Sequence, residues 1–220
     1  IKGQAVRRDA LMMVASSVLL CGLALYGSLG FVCGLLMFLA LVAYVAWCYN
    51  QDRKTPSETP AHIDEDIEGT HLSTLGAALY SLLGLCLLVW GAYFLVEGAV
   101  ALARHYGLSE AVIGLTIVAV GTSLPELATS IVAAYRRHGD VIVGNILGSN
   151  IFNILSILGI TSMVQTIPLT GQIASVDVWI MLAVALVFAV PLWIGALIGR
   201  TSAVVMLLAY IAYTAWLYNP

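Results

Sequence analysis

A polar hexapeptide, GTSLPE at residues 121–126, lies in the middle of the apolar segment Ala111–Tyr135. A helix of that length can cross a hydrocarbon core of roughly 30 Å. Glu126 is therefore predicted near the middle of the membrane, where an ionised carboxylate costs about 2.5–3.5 kcal/mol by insertion scales. A carboxylate kept at that cost indicates a functional site.

The rest of the composition agrees with a membrane setting. Of the 220 residues, 61% are hydrophobic and 10% are charged, and the mean hydropathy is +0.98, outside the range of soluble domains. A backbone in lipid must satisfy its own hydrogen bonds, and β-alternation is missing, so each apolar run is predicted to be a helix of an all-α membrane protein. Seven segments result: A, Ala10–Tyr26; B, Phe31–Tyr49; C, Leu72–Ala103; D, Ala111–Tyr135; E, Val141–Met163; F, Val176–Ile198; and G, Ser202–Tyr218.

Basic residues are distributed unequally between the two ends of these segments. Seven crossings place the N-terminal end, residues 50–70, residues 136–140 and Arg200 on one side, which holds eight of the nine Lys and Arg residues. Arg104 is left on the other side. Because cytoplasmic loops carry the excess of positive charge, the richer side is predicted to be cytoplasmic and the C-terminus external.

Proline and its neighbours give segment D the chemistry of a cation site. Pro125 has no N–H, so it leaves the carbonyl of Gly121 without its helical donor. Thr122 and Ser123 add hydroxyl oxygens, and Glu126 follows one turn later on the same face. Carboxylate, hydroxyl and carbonyl oxygens around a broken helix are the ligands that a hard cation such as calcium prefers.

Segment E carries a second polar stripe. Asn145, Ser149 and Asn153 recur at four-residue spacing, which places them on one helix face. Gly144 and Gly148 form a pair of small residues that allows close approach of another helix. Such residues alone are more often contacts between helices than ligands, but their occurrence beside a mid-membrane carboxylate favours an ion site.

Other features carry less functional weight. Residues 50–70 hold six carboxylates but lack the glycine turn and terminal glutamate of an EF-hand, which favours a solvated linker. Glu97 either lines an ion entry path or reaches the nearby interface, and we favour the interface. The four cysteines lack paired spacing, which predicts neither disulfides nor zinc. No basic patch indicates nucleic acid, and no nucleophile and base pair indicates an enzyme.

The stretch from about Gly107 to Gly159, with GLTIVAVGTSLPELATSIVAA followed by GDVIVGNILGSNIFNILSILG, resembles the second signature repeat of the sodium/calcium exchanger superfamily, prokaryotic type. This resemblance implies a ten-helix fold in the inner (plasma) membrane, made of two inverted five-helix halves with the ion sites between them. Residues 1–49 would then be the last two helices of the first half, 50–71 a cytoplasmic linker, and 72–220 the second half.

The resemblance also implies the ligands, position by position. The first signature repeat is absent from these residues, so the missing N-terminal half is an expected partner, and an upstream continuation before Ile1 is favoured over a second chain. Asn153 stands where some relatives carry Asp, which leaves sodium or protons open as the counter-cation. The essential acidic ligand would be Glu126, the oxygen donors Gly121, Thr122, Ser123 and Ser149, and the last polar ligand Asn153.

Together these inferences predict a secondary antiporter of calcium against sodium or protons, and not an enzyme. The two ions would compete for one site that opens to one side of the membrane at a time. They are cargo, so no cofactor is expected, and lipid is the surrounding partner. Two alternatives remain: a transporter of another cation, such as magnesium or a monovalent ion alone, and a non-transporting scaffold in which the polar stripe only joins helices.

Overall fold

The computed structural model describes residues 3–54, 73–107, 113–196 and 199–218. Within these residues, six helices are long and apolar enough to cross a membrane, and the spans number seven if one bent pair is counted as a single span. This confirms the predicted all-α membrane protein. Most of the predicted linker 50–71 lies outside the described residues. The α-helices are α1 Gln4–Tyr26, α2 Phe31–Lys54, α3 Thr74–His105, α4 Ala119–Thr122, α5 Leu124–Tyr135, α6 Gly139–Phe152, α7 Gly159–Val164, α8 Val178–Trp193 and α9 Arg200–Tyr218; the π-helical turns are π1 Gly114–Val118, π2 Asn153–Leu158 and π3 Ile173–Asp177.

Segment F differs from its predicted bounds of Val176–Ile198. Its span runs over Ile173–Trp193, and it stops where Gly195 takes a left-handed φ of 73°, a conformation that ends helices and suits glycine. Asp177 therefore lies inside a membrane-spanning helix. Its Oδ1 accepts a hydrogen bond of 3.4 Å from the side-chain amide of Gln172.

Spatial contacts divide the chain into two compact units. The first unit contains residues 1–55 and 133–203, and the second contains residues 56–132 and 204–220. These units group residues by contact, whereas the predicted division at 49 and 71 follows the sequence repeat. The predicted division stays a prediction.

In the first unit, α1 packs lengthwise against α8 and α6. The Cys21 S–H donates to the carbonyl of Val178 at 3.3 Å, and a Cβ added at Gly195 would lie 3.8 Å from a guanidinium nitrogen of Arg7. Contacts at both ends in this order make α1 and α8 antiparallel. In lipid such packing stabilises through van der Waals contact. The largest fully buried apolar side chains of the first unit as a whole are Met13, Leu29, Met37, Leu147 and Leu155.

Charged residues join one end of α1 to α2. The Tyr44 hydroxyl donates to Asp9 Oδ1 at 2.6 Å, and Arg8 Nε donates to the same oxygen at 2.9 Å. Arg8 also reaches Asp52 at 3.4 Å. Paired in this way, the charges at the end of an apolar span compensate one another.

A short antiparallel ladder holds the other end of the first unit. Strand β1, Ser28–Leu29, pairs with β2, Ile167–Pro168. The ladder continues through a hydrogen bond of 3.0 Å from Leu169 N–H to the carbonyl of Gly27, whose φ of 92° ends α1. The turn between α1 and α2 is thus attached to the segment that follows α7.

In the second unit, α3 packs against π1 and α4. A Cβ added at Gly121 would overlap Val96 Cγ2, so α3 touches the backbone at the first residue of the GTSLPE stretch. The most apolar window of α3 has no buried residue. In a membrane, a surface of this kind lies against lipid tails or other helices without the cost that water would impose.

Candidate functional site

Segment D is a broken helix, as its sequence predicts. The part Gly114–Thr122 and the part Leu124–Tyr135 meet at an angle of 49°. Ser123 stands between them: its N–H donates to the carbonyl of Val120 at 3.1 Å, and its own carbonyl accepts from Leu127 N–H at 2.9 Å. The same residue therefore closes α4 and begins α5.

Two exposed hydroxyl groups lie at this break, on Thr122 and Ser123. Thr122 Oγ1 donates to the carbonyls of Val118, at 2.9 Å, and Ala119, at 3.2 Å. A hydroxyl that has donated its proton to the backbone still has lone pairs on its oxygen. Thr122 can therefore offer an oxygen to a cation without breaking its own hydrogen bonds.

Glu126 lies in the first turn of α5. The N-terminal end of a helix carries partial positive charge, which favours an ionised carboxylate there. Its side chain is half-buried, and its Oε2 atom is shielded from solvent. A shielded carboxylate oxygen in a membrane-spanning segment is a strong ligand for a cation, because little water competes for it.

Segment E remains one continuous span, Gly139–Val164. The Ser149 hydroxyl donates to the carbonyl of Asn145 at 2.7 Å, which confirms that these residues stand one turn apart. Ser149 is half-buried and Asn153 is exposed. Asn153 is the first residue of π2, so the polar stripe ends where the helix widens.

Sequence reasoning missed the three π-helical turns. Two of them adjoin predicted ligands, since π1 ends shortly before Thr122 and π2 begins at Asn153. Turns of this type are rare and occur often at functional sites. The amino-acid sequence of a segment gives little indication of a π turn, because packing against other helices stabilises the extra residue in the turn.

The structure groups the predicted ligands into two sets, each within one unit. The two sets lie in different compact units, so their assignment to one cation stays a prediction. Among the described residues, no group of three or more His, Cys, Asp or Glu side chains could hold a metal ion. The broken-helix set is Gly121, Thr122, Ser123 and Glu126; the π-turn set is Ser149 and Asn153.

Gly144 and Gly148 of segment E were expected to lie against another helix, but no neighbouring helix approaches them among the described residues. A Cβ added at Gly144 or Gly148 would meet no described atom within 4 Å. Close contact of segment E with another helix occurs instead at Gly159, which lies against Gly34 of α2. The sequence signal was present at Gly30 and Gly34, which have the same four-residue spacing.

Proteins similar to this chain in sequence and fold include membrane ion exchangers. The sodium/calcium exchanger protein family matches residues 76–219. CaxA of Alkalimonas amylolytica, which bears the name of an antiporter, is 36% identical over 193 residues, or 86% of this chain and 59% of its own. The sodium/calcium exchanger MaX1 of Methanosarcina acetivorans is 42% identical over 110 residues, 50% of this chain and 31% of its own.

A solved structure agrees over nearly the whole chain. The sodium-calcium exchanger NCX_Mj, soaked with sodium and calcium, superposes with a TM-score of 0.75 at 25% identity, covering 98% of this chain and 66% of NCX_Mj. The chain thus spans less than two thirds of the length of each of these proteins. By the family match, this chain belongs to the sodium/calcium exchanger protein family.

Proposed function

We propose that the protein carrying this chain is a secondary antiporter that exchanges calcium for sodium or protons across a prokaryotic inner membrane. One observation carries the proposal: the membrane-spanning helix of segment D breaks at Ser123, three residues before a half-buried glutamate. Breaks of this kind expose backbone carbonyls and helix ends within the membrane, where transporters bind ions. The family membership supports the same class of cargo.

In this proposal the broken-helix set and the π-turn set bind the same cation. Glu126 provides the negative charge, and the hydroxyl groups of Thr122 and Ser149 provide neutral oxygens whose protons already bond to backbone carbonyls. Ser123, Asn153 and the Gly121 carbonyl complete this chain's share. The assignment of both sets to one ion rests on the sequence resemblance.

A divalent cation needs more negative charge than Glu126 supplies. Transfer of an incompletely neutralised ion into a medium of low dielectric constant is strongly unfavourable. We therefore infer that a first signature repeat outside these residues, in the same protein or in a second chain, contributes a second carboxylate and completes a ten-helix fold. Calcium and the counter-cation would then compete for the site, and only a loaded site would change the side to which it opens.

The orientation of the chain belongs to the same proposal. The excess of Lys and Arg residues on one side predicts a cytoplasmic N-terminal end and an external C-terminus. The direction of exchange does not follow from this orientation: an inward gradient of sodium or protons would drive calcium out of the cell. The orientation can be measured by the labelling of single cysteines placed in the turns at 136–140 and 166–170. A thiol reagent that cannot cross the membrane should label one of these turns when added from outside and the other when added from inside.

The function is tested by radioactive calcium uptake into inside-out vesicles that contain the full-length protein. Sodium and proton gradients are imposed separately, and Glu126→Gln is measured beside the wild type. Glutamine keeps the size of the side chain and removes its charge. Uptake that follows one gradient and disappears in Glu126→Gln would support the antiporter and identify the counter-ion.

Other outcomes separate the alternatives. Uptake of magnesium or of a monovalent ion, without calcium, would assign the site to another cation. Normal calcium flux in Glu126→Gln would contradict the assigned site. An absence of flux for every ion, with Glu126→Gln as well inserted as the wild type and more stable, would favour a scaffold in which the polar residues only join helices.

A further inference from the structure

We propose that Gly34 and Gly159 are positioning residues, whose backbone contact fixes the π-helical turn that begins at Asn153. The contact joins α2 to α7, and π2 leads directly into α7. Both glycines and the π turn lie in the first compact unit. The inference rests on the proposed function where it concerns ion affinity, and on packing alone where it concerns the π turn.

The two helices approach each other at the backbone. A Cβ added at Gly34 would overlap the carbonyl oxygen of Gly159 and the hydroxyl of Ser162, and would lie 3.1 Å from Met163 Cγ. A Cβ added at Gly159 would lie 3.1 Å from the carbonyl oxygen of Gly34 and 3.4 Å from Met37 Cβ. Neither glycine can therefore take a side chain without a shift of the neighbouring atoms.

The surroundings of this contact are rigid. Ser162 is 1% exposed, and its hydroxyl donates to the carbonyl of Gly159 at 2.9 Å. Met37, one turn along α2, is 2% exposed. Added volume at Gly34 cannot be absorbed by rotation of a flexible side chain, because the nearest atoms belong to a backbone carbonyl and to a hydroxyl that is already hydrogen-bonded. The helices must separate.

Separation of α2 from α7 acts on the π turn. A π turn contains one residue more than an α-helical turn. Here it lies between α6 and the start of α7, and α7 is fixed by the contact of Gly159 with Gly34. If α7 is released and the turn relaxes to α-helix, every preceding residue changes register by one position. One position is about 100° around the helix axis, enough to turn Asn153 away from its present face.

The rest of π2 supports this role. Its residues Ile154, Leu155 and Ser156 are all buried, whereas Asn153 is exposed. Helix α2 packs against π2 as well as α7. The turn is thus held along its length on one side, which leaves Asn153 as the polar residue at its free edge.

The first test measures the position of Asn153 without any ion. In the full-length protein, with Cys21, Cys33, Cys48 and Cys86 replaced by Ser or Ala, Asn153→Cys is alkylated in membranes by a small reagent. We expect Gly34→Ala to change the alkylation rate about threefold or more, because a register change moves the side chain to another face. Gly22→Ala is the matched control, since a Cβ there meets no described atom within 4 Å.

Two further variants keep the test decisive if Gly34→Ala folds poorly. Gly159→Ala introduces a milder overlap and should change the rate in the same direction by less. Adding Ser162→Gly to Gly34→Ala removes one of the two overlapping atoms and should restore the rate in part. An alkylation rate that is the same in Gly34→Ala, Gly159→Ala and the control overturns the inference.

The second test measures ion affinity in the same variants. We expect Gly34→Ala to raise the calcium concentration for half-maximal uptake about tenfold, since a ligand turned to another face of the helix no longer contributes to binding. A purely structural role would lower the amount of folded protein and leave that concentration unchanged. Absence of uptake in the wild type would reject the proposed antiporter, while the alkylation rates would still decide whether the glycines fix the turn.

Discussion

The two polar helices of the molecule present oxygen atoms in different ways. Segment D contains a proline, bends by 49° and resumes as a new helix. Segment E contains no proline between Gly139 and Val164, stays continuous and widens into a π turn. A break exposes backbone carbonyls and a helix end, whereas a π turn changes which side chains share a face. Both devices place polar groups inside a membrane without leaving the chain irregular over many residues.

Segments D and E also differ in how tightly the described residues pack around them. Segment E belongs to a packed unit in which Leu147 and Leu155 are completely buried, and its end is fixed by the glycine contact with α2. Segment D belongs to a unit in which the most apolar window of α3 has no buried residue. The π-turn set therefore lies in the more firmly packed unit, and the broken-helix set, which carries the charge, lies in the less enclosed one.

Removal of the proline should have the largest effect, because it makes segment D resemble segment E. Pro125→Ala returns an N–H donor to the carbonyl of Gly121 and favours a straighter helix. We expect calcium uptake to fall about tenfold or more, as misplaced ligands lose binding, without loss of folded protein. Uptake is measured in vesicles at equal protein content.

A second proline provides the matched control. Pro191 lies inside α8, a helix that carries none of the proposed ligands. Pro191→Ala should leave uptake unchanged, because its only effect is on a helix that carries no proposed ligand. Equal losses in the two variants would show that uptake depends on general helix packing rather than on the break at Ser123.

Substitution at the glycine contact should have the next largest effect, on stability. Overpacking a close contact costs about 1–3 kcal/mol, so Gly34→Ala should lower the free energy of unfolding by that amount, with a smaller loss for Gly159→Ala. Gly22→Ala should be neutral or stabilising by about 0.5–1 kcal/mol, because alanine favours a helix interior. Unfolding is followed by helical circular dichroism in detergent titrations.

A different order of stabilities would contradict the role given to the glycine contact. If Gly22→Ala destabilised as much as Gly34→Ala, the tight contact of segment E with α2 would not be a source of its rigidity. The difference between the two regions would then have to come from the buried side chains alone.

A charge added to the π turn should have a moderate effect. Asn153→Asp gives segment E a carboxylate, so that both helices carry one. We expect calcium to bind several-fold more tightly at neutral pH and uptake to depend more steeply on pH, since protons compete with calcium for a carboxylate but not for an amide. Uptake is measured against calcium concentration at several pH values.

Asn153→Ser is the control for size and polarity without charge. It should show the pH dependence of the wild type. An unchanged pH dependence in Asn153→Asp would place residue 153 away from the ion and leave Glu126 as the charged ligand of this chain.

Much of the fold could be predicted because the membrane restricts it. Hydrophobic length identified the spans, and Pro125 with its polar neighbours identified the break in segment D. Gly121, Thr122, Ser123 and Glu126 follow from local sequence alone, since they belong to one short stretch. Their role as ligands stays a prediction.

The remaining features depend on contacts between distant residues. The spacing of Gly30 and Gly34 indicates a close helix contact but not its partner. The contact of Gly34 with Gly159 and the π turn at Asn153 arise only when α2 meets segment E. The ladder of β1 and β2 joins residues far apart in sequence, and each strand has two residues, too short for alternation. The predicted end of segment F at Ile198 was wrong, because a glycine such as Gly195 occurs both within apolar helices and at their ends, and the sequence alone does not distinguish the two.

The smallest predicted effect concerns the turn between the two polar helices. Arg137 has a φ of 63°, and His138 N–H donates to the carbonyl of Ala133 at 2.8 Å, a left-handed helix ending that usually contains glycine. Arg137→Gly should therefore raise the free energy of unfolding by about 0.5–1 kcal/mol, because glycine adopts this conformation without steric cost.

Arg136 is the control, since it precedes Arg137 in the same turn and its φ is not positive. Arg136→Gly removes the same charge without relieving a strained φ, so it should not stabilise. Both variants must first be shown to keep the wild-type orientation, because basic residues at this end contribute to topology. Equal stability changes in the two would mean that charge repulsion, and not the left-handed backbone, limits the stability of the link between the broken helix and the π-turn helix.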